Sequence, residues 1–397
     1  MQSRDVDKDP GVAKFGIALE WGSRGLEFES RHSDQKLWFL SKPQFFHSEM
    51  NTHMGDNVMK ISVAIASYNG EQYIKEQLDS ILEQTVPVDE IVISDDGSKD
   101  RTLAIIAEYQ DPRIRLITGN PKPGYCGNFE YVLKHTTGDV IFLADQDDIW
   151  TPDKVEKHME VLEADPQIEL IVTNATLIDK VGNVLDREGY DINSQFTPHL
   201  CGVPTGKLPM EDFLGSCVYC SLANGMRMCF RKSLLSLALP FPSSGVMHDR
   251  WIGFCGLRND SVYYLDEKLV LYRLHDTNTS MRSNLPLRKR LLKMITDAYH
   301  TPYDVHNIAC SMVSIMPEND SRYVDFRKGI QEIMDDTATM IGAFAQNPFQ
   351  GTATILELRK YSGFYANFGM KSLMLYMSLL FFGRRYMKTH PRTMQDC

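Results

Sequence analysis

Five aspartates in two short clusters are the residues best suited to chemistry: Asp95 and Asp96 in Ile91-Val-Ile-Ser-Asp-Asp-Gly-Ser98, and Asp145, Asp147 and Asp148 in Phe142-Leu-Ala-Asp-Gln-Asp-Asp-Ile-Trp150. Two carboxylates at i and i+2 in a loop can offer a hard divalent cation one or two oxygens and leave positions open for a diphosphate. Without a positive partner such crowding is costly, because like charges disfavour one another's ionisation. Each acid also has a plain structural reading: Ser98 or Asp100 can start a helix, and Asp148 can turn the chain ahead of Thr151.

Acids so far apart in sequence need a scaffold that gathers them. From Met59 short apolar runs alternate with helix-period segments, the signature of an α/β domain around a parallel sheet. Strands are predicted over residues 60–66, 90–94, 114–118, 140–144 and 168–174, with helices over 71–84, 100–109, 125–135 and 151–164 between them. Thr151-Pro152-Asp153 reads as a cap, a first-turn proline and an acid suited to the helix dipole. Residues 176–185 read as a hairpin turning at Gly182, 210–219 as a helix, 262–272 as another strand, and 287 onward as mostly helical. In an open α/β sheet, ligands bind beyond the carboxyl ends of the strands. Ser67-Tyr68-Asn69, Asp95-Asp96 and the Asp145 cluster each follow a strand, so consecutive parallel strands would set all three on one rim.

Composition narrows the partners. The 397 residues include 42 Lys+Arg and 52 Asp+Glu, a formal charge of -10, with 43% hydrophobic residues. That balance is globular, and it lacks the basic face that neutralises nucleic-acid phosphates, so no nucleic-acid partner is expected. The eight cysteines are scattered rather than densely spaced and point to a reducing, cytoplasmic setting; Cys217-Val-Tyr-Cys220 reads as two small buried side chains. Residues 1–58 lack sustained periodicity and read as an extension without a packed fold, or as a start placed ahead of a true one at Met50, Met54 or Met59. The apolar run Leu373–Phe382 is about half the ~20 residues a spanning helix needs. Lys371, Arg384, Arg385, Lys388 and Arg392 around it suit an anionic bilayer surface, and a docked core helix is the alternative. Charge divides accordingly, with 28 basic and 42 acidic residues over 1–284 but 14 and 10 over 285–397.

Val63-Ala-Ile-Ala-Ser-Tyr-Asn-Gly70, the Asp95-Asp96 motif followed by Asp100, and Ala144-Asp-Gln-Asp-Asp-Ile-Trp150 resemble, in order and spacing, the family 2 glycosyltransferases of GT-A fold, most closely a rhamnosyltransferase-like branch. The resemblance covers roughly residues 60–280. It implies one large, mostly parallel sheet flanked by helices, with a C-terminal helical extension. It also implies that Tyr68 and Asp95 or Asp96 hold the nucleotide, Asp96 being favoured for the base. A carboxylate accepts the imide N–H of uracil or thymine, which cytosine lacks, so a UDP- or dTDP-sugar is the expected donor. Asp145 and Asp147 match the Asp-x-Asp element, with Asp147 the direct ligand of Mg²⁺ or Mn²⁺ and Asp145 touching ribose or metal.

Two later motifs extend the resemblance. Val246-Met-His-Asp-Arg-Trp251 is similar to the family's short acidic element, which makes Asp249 the catalytic base, with a helix N-cap as its structural alternative. Leu271-Tyr-Arg-Leu-His-Asp-Thr-Asn278 resembles a Tyr-Arg-x-His stretch, which implies that His275 completes the metal shell or binds phosphate and that Arg273 contacts the nucleotide-sugar, offsetting its charge. Many relatives carry an Arg-Asn pair after the third strand. Here Gly124-Tyr-Cys-Gly-Asn128 keeps Asn128 alone as the nucleotide-sugar contact. Asn224-Gly-Met-Arg-Met-Cys-Phe-Arg231 falls where relatives place an acceptor-side stretch, and core is its alternative.

The sequence thus implies an extension over 1–58, a GT-A domain over 59–284 and a helical extension over 285–397. The expected activity is metal-dependent inverting transfer of a sugar, rhamnose among the candidates, to a glycan or lipid-linked glycan acceptor of bacterial surface polysaccharide. The site of action is the cytoplasm or the inner face of the cell membrane, reached through peripheral contact by the C-terminal tail. A catalytically silent nucleotide-sugar-binding scaffold is the alternative from another class. A nucleotidyltransferase is a further one, but it would be expected to carry a Gly-rich, basic phosphate loop where Ser67-Tyr-Asn-Gly70 stands.

Overall fold

A computed structural model describes residues 58–185, 191–218, 221–242, 246–275, 302–346, 349–351 and 353–354. From Met59 on, these belong to one compact unit. The expected N-terminal extension, apart from Val58, the 284/285 boundary and the apolar run 373–382 with its cations lie outside the described residues.

The strands are β1 (Ile61–Ser67), β2 (Glu90–Asp95), β3 (Ile114–Ile117), β4 (Val140–Asp145), β5 (Ile149–Trp150), β6 (Leu170–Ile178), β7 (Gly206–Lys207), β8 (Met228–Arg231) and β9 (Val262–Arg273). They form one sheet in the order β3-β2-β1-β4-β8-β6-β9-β5, with β7 paired to β9. The first four strands run parallel, each reached through a helix: α1 (Ile74–Leu82), α2 (Thr102–Ala107) and α3 (Tyr125–Leu133). Beyond them the sheet is mixed. β8 enters antiparallel between β4 and β6, which places the stretch 228–231 in the sheet itself. β6 and β9 are parallel, and the two-residue β5 pairs antiparallel with the end of β9.

Both faces of the parallel part are covered, which is why its strands read as unbroken apolar runs. Side chains alternate between two cores as the pleat requires. Val63, Ile65, Ile91, Ile93, Phe142 and Ala144 join the α1 side with α4 (Lys154–Ala164). Ala64, Val92, Ile141 and Leu143 join the α3 side. After the short helices α5 (Ile192–Phe196), α6 (Met210–Phe213) and α7 (Leu235–Ala238), that second core continues through α8 (His248–Arg258) to the helical residues 302–314 and the helix Val324–Ala345. Phe254 of α8 meets Phe326 at 6.3 Å, and the Tyr323 hydroxyl donates to the Arg258 carbonyl.

Register does the positioning. Ser67 pairs with Asp95 across β1 and β2, and Ala66 with Asp145 across β1 and β4, so the three carboxyl ends finish level. Three local expectations change. α4 starts at Lys154, after Thr151-Pro152-Asp153, with Asp153 at the N-cap position and the Thr151 hydroxyl donating to its carboxylate at 2.8 Å. The expected helix over 210–219 is a short turn, Met210–Phe213, followed by tighter turns to Val218. Cys310 is disulfide-bonded, whereas Cys126, Cys201, Cys217, Cys229 and Cys255 are free.

At Gly127 the loop after β3 lies directly on α3: a Cβ there would sit 1.9 Å from the Lys122 carbonyl oxygen. Ala ordinarily stabilises a helix interior over Gly by about 1 kcal/mol. Gly127→Ala is expected to reverse that sign and destabilise the protein by about 1–3 kcal/mol through backbone displacement, measured as a lowered midpoint in thermal or urea unfolding.

Candidate active site

The rim is a stitched surface. Beyond β1, Asn69 adopts φ +50, a left-handed conformation that Asn tolerates. Its N–H donates to Ser98 Oγ at 2.8 Å, and its own Oδ1 accepts from the Lys99 N–H at 2.8 Å. Asp95 closes the turn after β2: Oδ1 accepts from the Gly97 and Ser98 amides at 3.0 and 2.8 Å, and Oδ2 from the Ser98 and Ser67 hydroxyls. Asp96, half-buried, reaches the next loop and accepts from the Gly124 amide at 2.6 Å and from Asn120 Nδ2 at 3.3 Å. Tyr68 projects from this surface, 55% exposed.

Gln146 ties the first loop to the fourth. It accepts from the Tyr68 N–H at 2.9 Å and donates to the Tyr68 carbonyl at 3.0 Å. A Cβ on Gly70 would lie 2.3 Å from Gln146 Oε1, so a larger residue there would displace this amide. From below, Arg273 organises the acidic loop. Its amide donates to Asp148 Oδ1 at 3.0 Å, and its Nε to the Asp147 carbonyl at 2.9 Å. Its guanidinium pairs with Glu76 of α1 at 2.5 Å and lies 4.6 Å from the Tyr73 ring centroid. Two residues on, His275 Nε2 stands 2.8 Å from Asp147 Oδ2.

Asp249 is the second residue of α8, one place past the first; the N-cap position belongs to Met247, and no side chain caps the helix. The Asp249 carboxylate accepts from the Ser221 hydroxyl at 2.8 Å and from the Arg250 amide at 2.7 Å. It also faces the rim: burial, then the charges of Asp147 and Asp249, push the Asp145 carboxyl up to about 7. Burial, with Asp147 and Asp145, holds Asp148 well above the usual carboxylate range, and its fully buried Oδ2 has no hydrogen-bond partner. Lys154 is also fully buried, and burial pulls it down to about 7; its Nζ donates to the Met226 carbonyl at 2.7 Å.

The fold therefore brings Tyr68, Asp96, Asp145, Asp147, His275 and Asp249 to one rim. Two residues expected to contact the nucleotide-sugar are placed otherwise. Asn128 is 2% exposed: its Nδ2 donates to the Ser67 and Ser94 carbonyls at 3.2 and 2.9 Å, and its Oδ1 accepts from the Ser94 hydroxyl, so it brackets β1 to β2. Arg273 is 1% exposed and acts on the loop of Asp147 and Asp148. Asp95, at 3% exposure, has both oxygens engaged by its own turn. Sequence reasoning missed Gln146, Glu76 and Ser221. Gln146 carried a signal, since it lies inside the Asp-x-Asp motif itself; Glu76 and Ser221 carried none.

A group that a divalent cation would join can be tested against these atoms. Among the described residues, no three His, Cys, Asp or Glu side chains form a metal-ligating cluster. One carboxylate and one imidazole do converge, a second carboxylate has its pKa raised by burial and by neighbouring charges, and a third has an orphaned oxygen. That set fits a hard cation that takes most of its shell from a diphosphate and water.

Fold and rim together are an α/β fold with a mixed, largely parallel sheet whose carboxyl edge gathers acidic side chains. Residues 62–213 match the model of the family described as Glycosyl transferase family 2. Over 228 residues the chain is 28% identical to an uncharacterized glycosyltransferase of Rickettsia typhi, covering 55% of this chain and 65% of that protein. Over 102 residues it is 34% identical to the Escherichia coli UDP-Glc:alpha-D-GlcNAc-diphosphoundecaprenol beta-1,3-glucosyltransferase, covering 26% and 40%. The chain thus spans less than two thirds of either relative's length. A crystal structure of S. aureus TarS with UDP-GlcNAc superposes with a TM-score of 0.48 at 15% identity, covering 83% of this chain and 92% of that one. Residues 62–213 thus carry the similarity to the family 2 glycosyltransferases.

The raised Asp145 pKa predicts a pH dependence. Between about pH 4 and 7 the folded protein holds a proton that the unfolded chain has released, so this carboxyl's contribution to stability falls as pH rises. In chelator, Asp145→Asn is expected to gain stability relative to the unsubstituted protein across that window. Asp249→Asn should move the transition to lower pH; thermal unfolding from pH 4 to 8 reads both.

Proposed function

We propose that the protein is a metal-dependent, inverting glycosyltransferase that moves a sugar from a UDP- or dTDP-sugar to a glycan or lipid-linked glycan acceptor of bacterial surface polysaccharide. The observation that carries this reading is the meeting of Asp147 with His275 on a rim where Asp145 also feels the charge of Asp249. Tyr68 and Asp96 take the nucleotide, the ring against the base and the carboxylate accepting an imide N–H. The acidity of the rim itself excludes an unaccompanied diphosphate. A divalent cation held by Asp147 and His275, with Asp145 beside them, would neutralise the leaving diphosphate.

The chain's own residues supply the remaining chemistry. Asp249 accepts the proton of the acceptor hydroxyl as that oxygen forms its bond to the anomeric carbon. Attack comes from the face opposite the diphosphate, and the bond between the anomeric carbon and the diphosphate oxygen breaks, taking its electron pair. Ser221 fixes the carboxylate through its hydrogen bond to Oδ1, in the first turn of α8. The name of the E. coli relative supports a UDP-sugar and a diphospholipid-linked acceptor. The sequence resemblance places dTDP-rhamnose beside UDP-glucose among donors to be tried. A lipid-linked acceptor would bring the protein to the inner face of the cell membrane; none of its described helices is long and apolar enough to cross one.

Donor hydrolysis and transfer with Mg²⁺ or Mn²⁺ test the scheme. Asp249→Asn is expected to lower kcat by about 10²-fold or more, the range of a lost general base, with donor KM little changed. Asp147→Asn should weaken the response to Mn²⁺. Activity that survives both substitutions would sink the mechanism.

A further inference from the structure

Lys154, the first residue of α4, has no part in that scheme, and its burial calls for one. The residue is 0% exposed, whereas a lysine is almost never fully buried unless paired. Its direct contacts are neutral. Nζ donates to the Met226 carbonyl at 2.7 Å and lies 4.2 Å from the Trp150 ring centroid. An apolar side chain of the same length would fill this space without the cost of burying a charge.

Both ends of the Lys154–Met226 contact are fixed. Gln84, just past α1, donates to the Thr151 carbonyl at 2.7 Å and accepts from the Val155 amide at 2.9 Å, which clamps the backbone on either side of Lys154. Next to Met226, the buried Arg227 donates to the Thr173 carbonyl, Thr197 Oγ1 and Asn193 Oδ1 at 2.5, 3.0 and 2.8 Å. The ammonium is therefore held in place and does not snorkel to water. The carboxylates whose charges reach it are Asp148 and Asp145, and it draws both carboxyls down against the burial that raises them. One monovalent cation beneath Asp145, Asp147 and Asp148 leaves the loop negative, and its field extends to any ligand that the loop receives.

We propose that Lys154 is a buried counter-charge for the donor site: from beneath the acidic loop it favours an anionic diphosphate and opposes a divalent cation that arrives without one. This rests on the glycosyltransferase reading, which brings both ligands to the rim. Lys154 is a positioning residue, acting through the potential it sets under Asp145 and Asp148. A buried charge is screened by salt far less than one on the surface. A fixed positive charge shifts the affinities of an anion and a cation in opposite directions. Loss of a packing contact that loosens the loop weakens both.

Binding is read on the full chain at about pH 6, below the value that burial imposes on Lys154, so that the ammonium carries its charge. Calorimetry follows Mn²⁺ without nucleotide, and ligand-observed NMR follows UDP and uridine in chelator. Lys154→Met keeps the length and loses the charge. It is expected to tighten Mn²⁺ about tenfold, or 1.4 kcal/mol, and to weaken UDP about fivefold, with uridine unchanged because it lacks the phosphates. Lys154→Met/Asp148→Asn removes one charge of each sign and should return Mn²⁺ to within about threefold of the unsubstituted protein. Where Lys154→Met alone does not fold, the double variant is compared with Asp148→Asn, and the same tightening of Mn²⁺ is expected between them. Mn²⁺ affinity that falls or stays the same on loss of the lysine overturns the counter-charge, as does UDP that binds no more weakly. Absence of donor hydrolysis, and of UDP binding with Mn²⁺, in the unsubstituted protein would contradict the glycosyltransferase reading instead, because the Mn²⁺ shift is scored without nucleotide or turnover.

Discussion

Electrostatic crowding at the carboxyl edge of the sheet is the constraint on which the rest depends. Register sets Asp145 level with the ends of β1 and β2, and a two-residue turn then adds Asp147 and Asp148. The fold tolerates these acids by different means. Burial raises the Asp148 carboxyl well above the usual carboxylate range, burial and the charges of Asp147 and Asp249 push Asp145 up to about 7, and Asp147 pairs with His275. Among the described residues Lys154 lies below this cluster, and burial has weakened its charge. An arrangement that leaves negative charge unneutralised at the mouth of a sheet is suited to a ligand that brings its own cation.

Rigidity is the second requirement, and here backbone and side chains cooperate. Loops at such positions are commonly mobile, yet each of these is bonded to a neighbour: Asn69 to the 98–99 turn, Gln146 to Tyr68, Asp96 to Gly124, and Arg273 to the acidic loop from beneath. Arg273 and Asn128 therefore serve the site by holding other groups in place, a use of polar side chains that rotamer locking makes effective. The C-terminal helices contribute similarly. Tyr303, Val305, Ile308 and Met312 share a core with Trp251, Ile252 and Phe254, so they buttress the helix whose first turn carries Asp249.

The parallel half of the fold was legible because strands buried on both faces announce themselves as unbroken apolar runs ending in polar turns. Ile61–Ser67, Glu90–Asp95 and Val140–Asp145 each ended within a residue or so of expectation, and their alignment followed from parallel pairing. β8 was not legible. Met228-Cys-Phe-Arg231 is too short for periodicity to distinguish it from any other buried segment, and its pairing with β4 and β6 is set by distant residues. The site shows the same division. Motif spacing located the acids, but spacing says nothing about where a side chain points, so Asn128 and Arg273 were matched to the right segments with the wrong contacts. Lys154 was passed over because its place beneath the acids exists only in three dimensions.

The central claim is that this rim accepts a diphosphate only together with a cation, each completing the other's shell. Calorimetric titration of UDP into the protein, with Mn²⁺ and then with chelator, tests it most directly, and linkage requires the converse titration of Mn²⁺ to show the same coupling. The account predicts at least a tenfold tightening of UDP by Mn²⁺ and an equal tightening of Mn²⁺ by UDP. UDP binding equally well in chelator would contradict it.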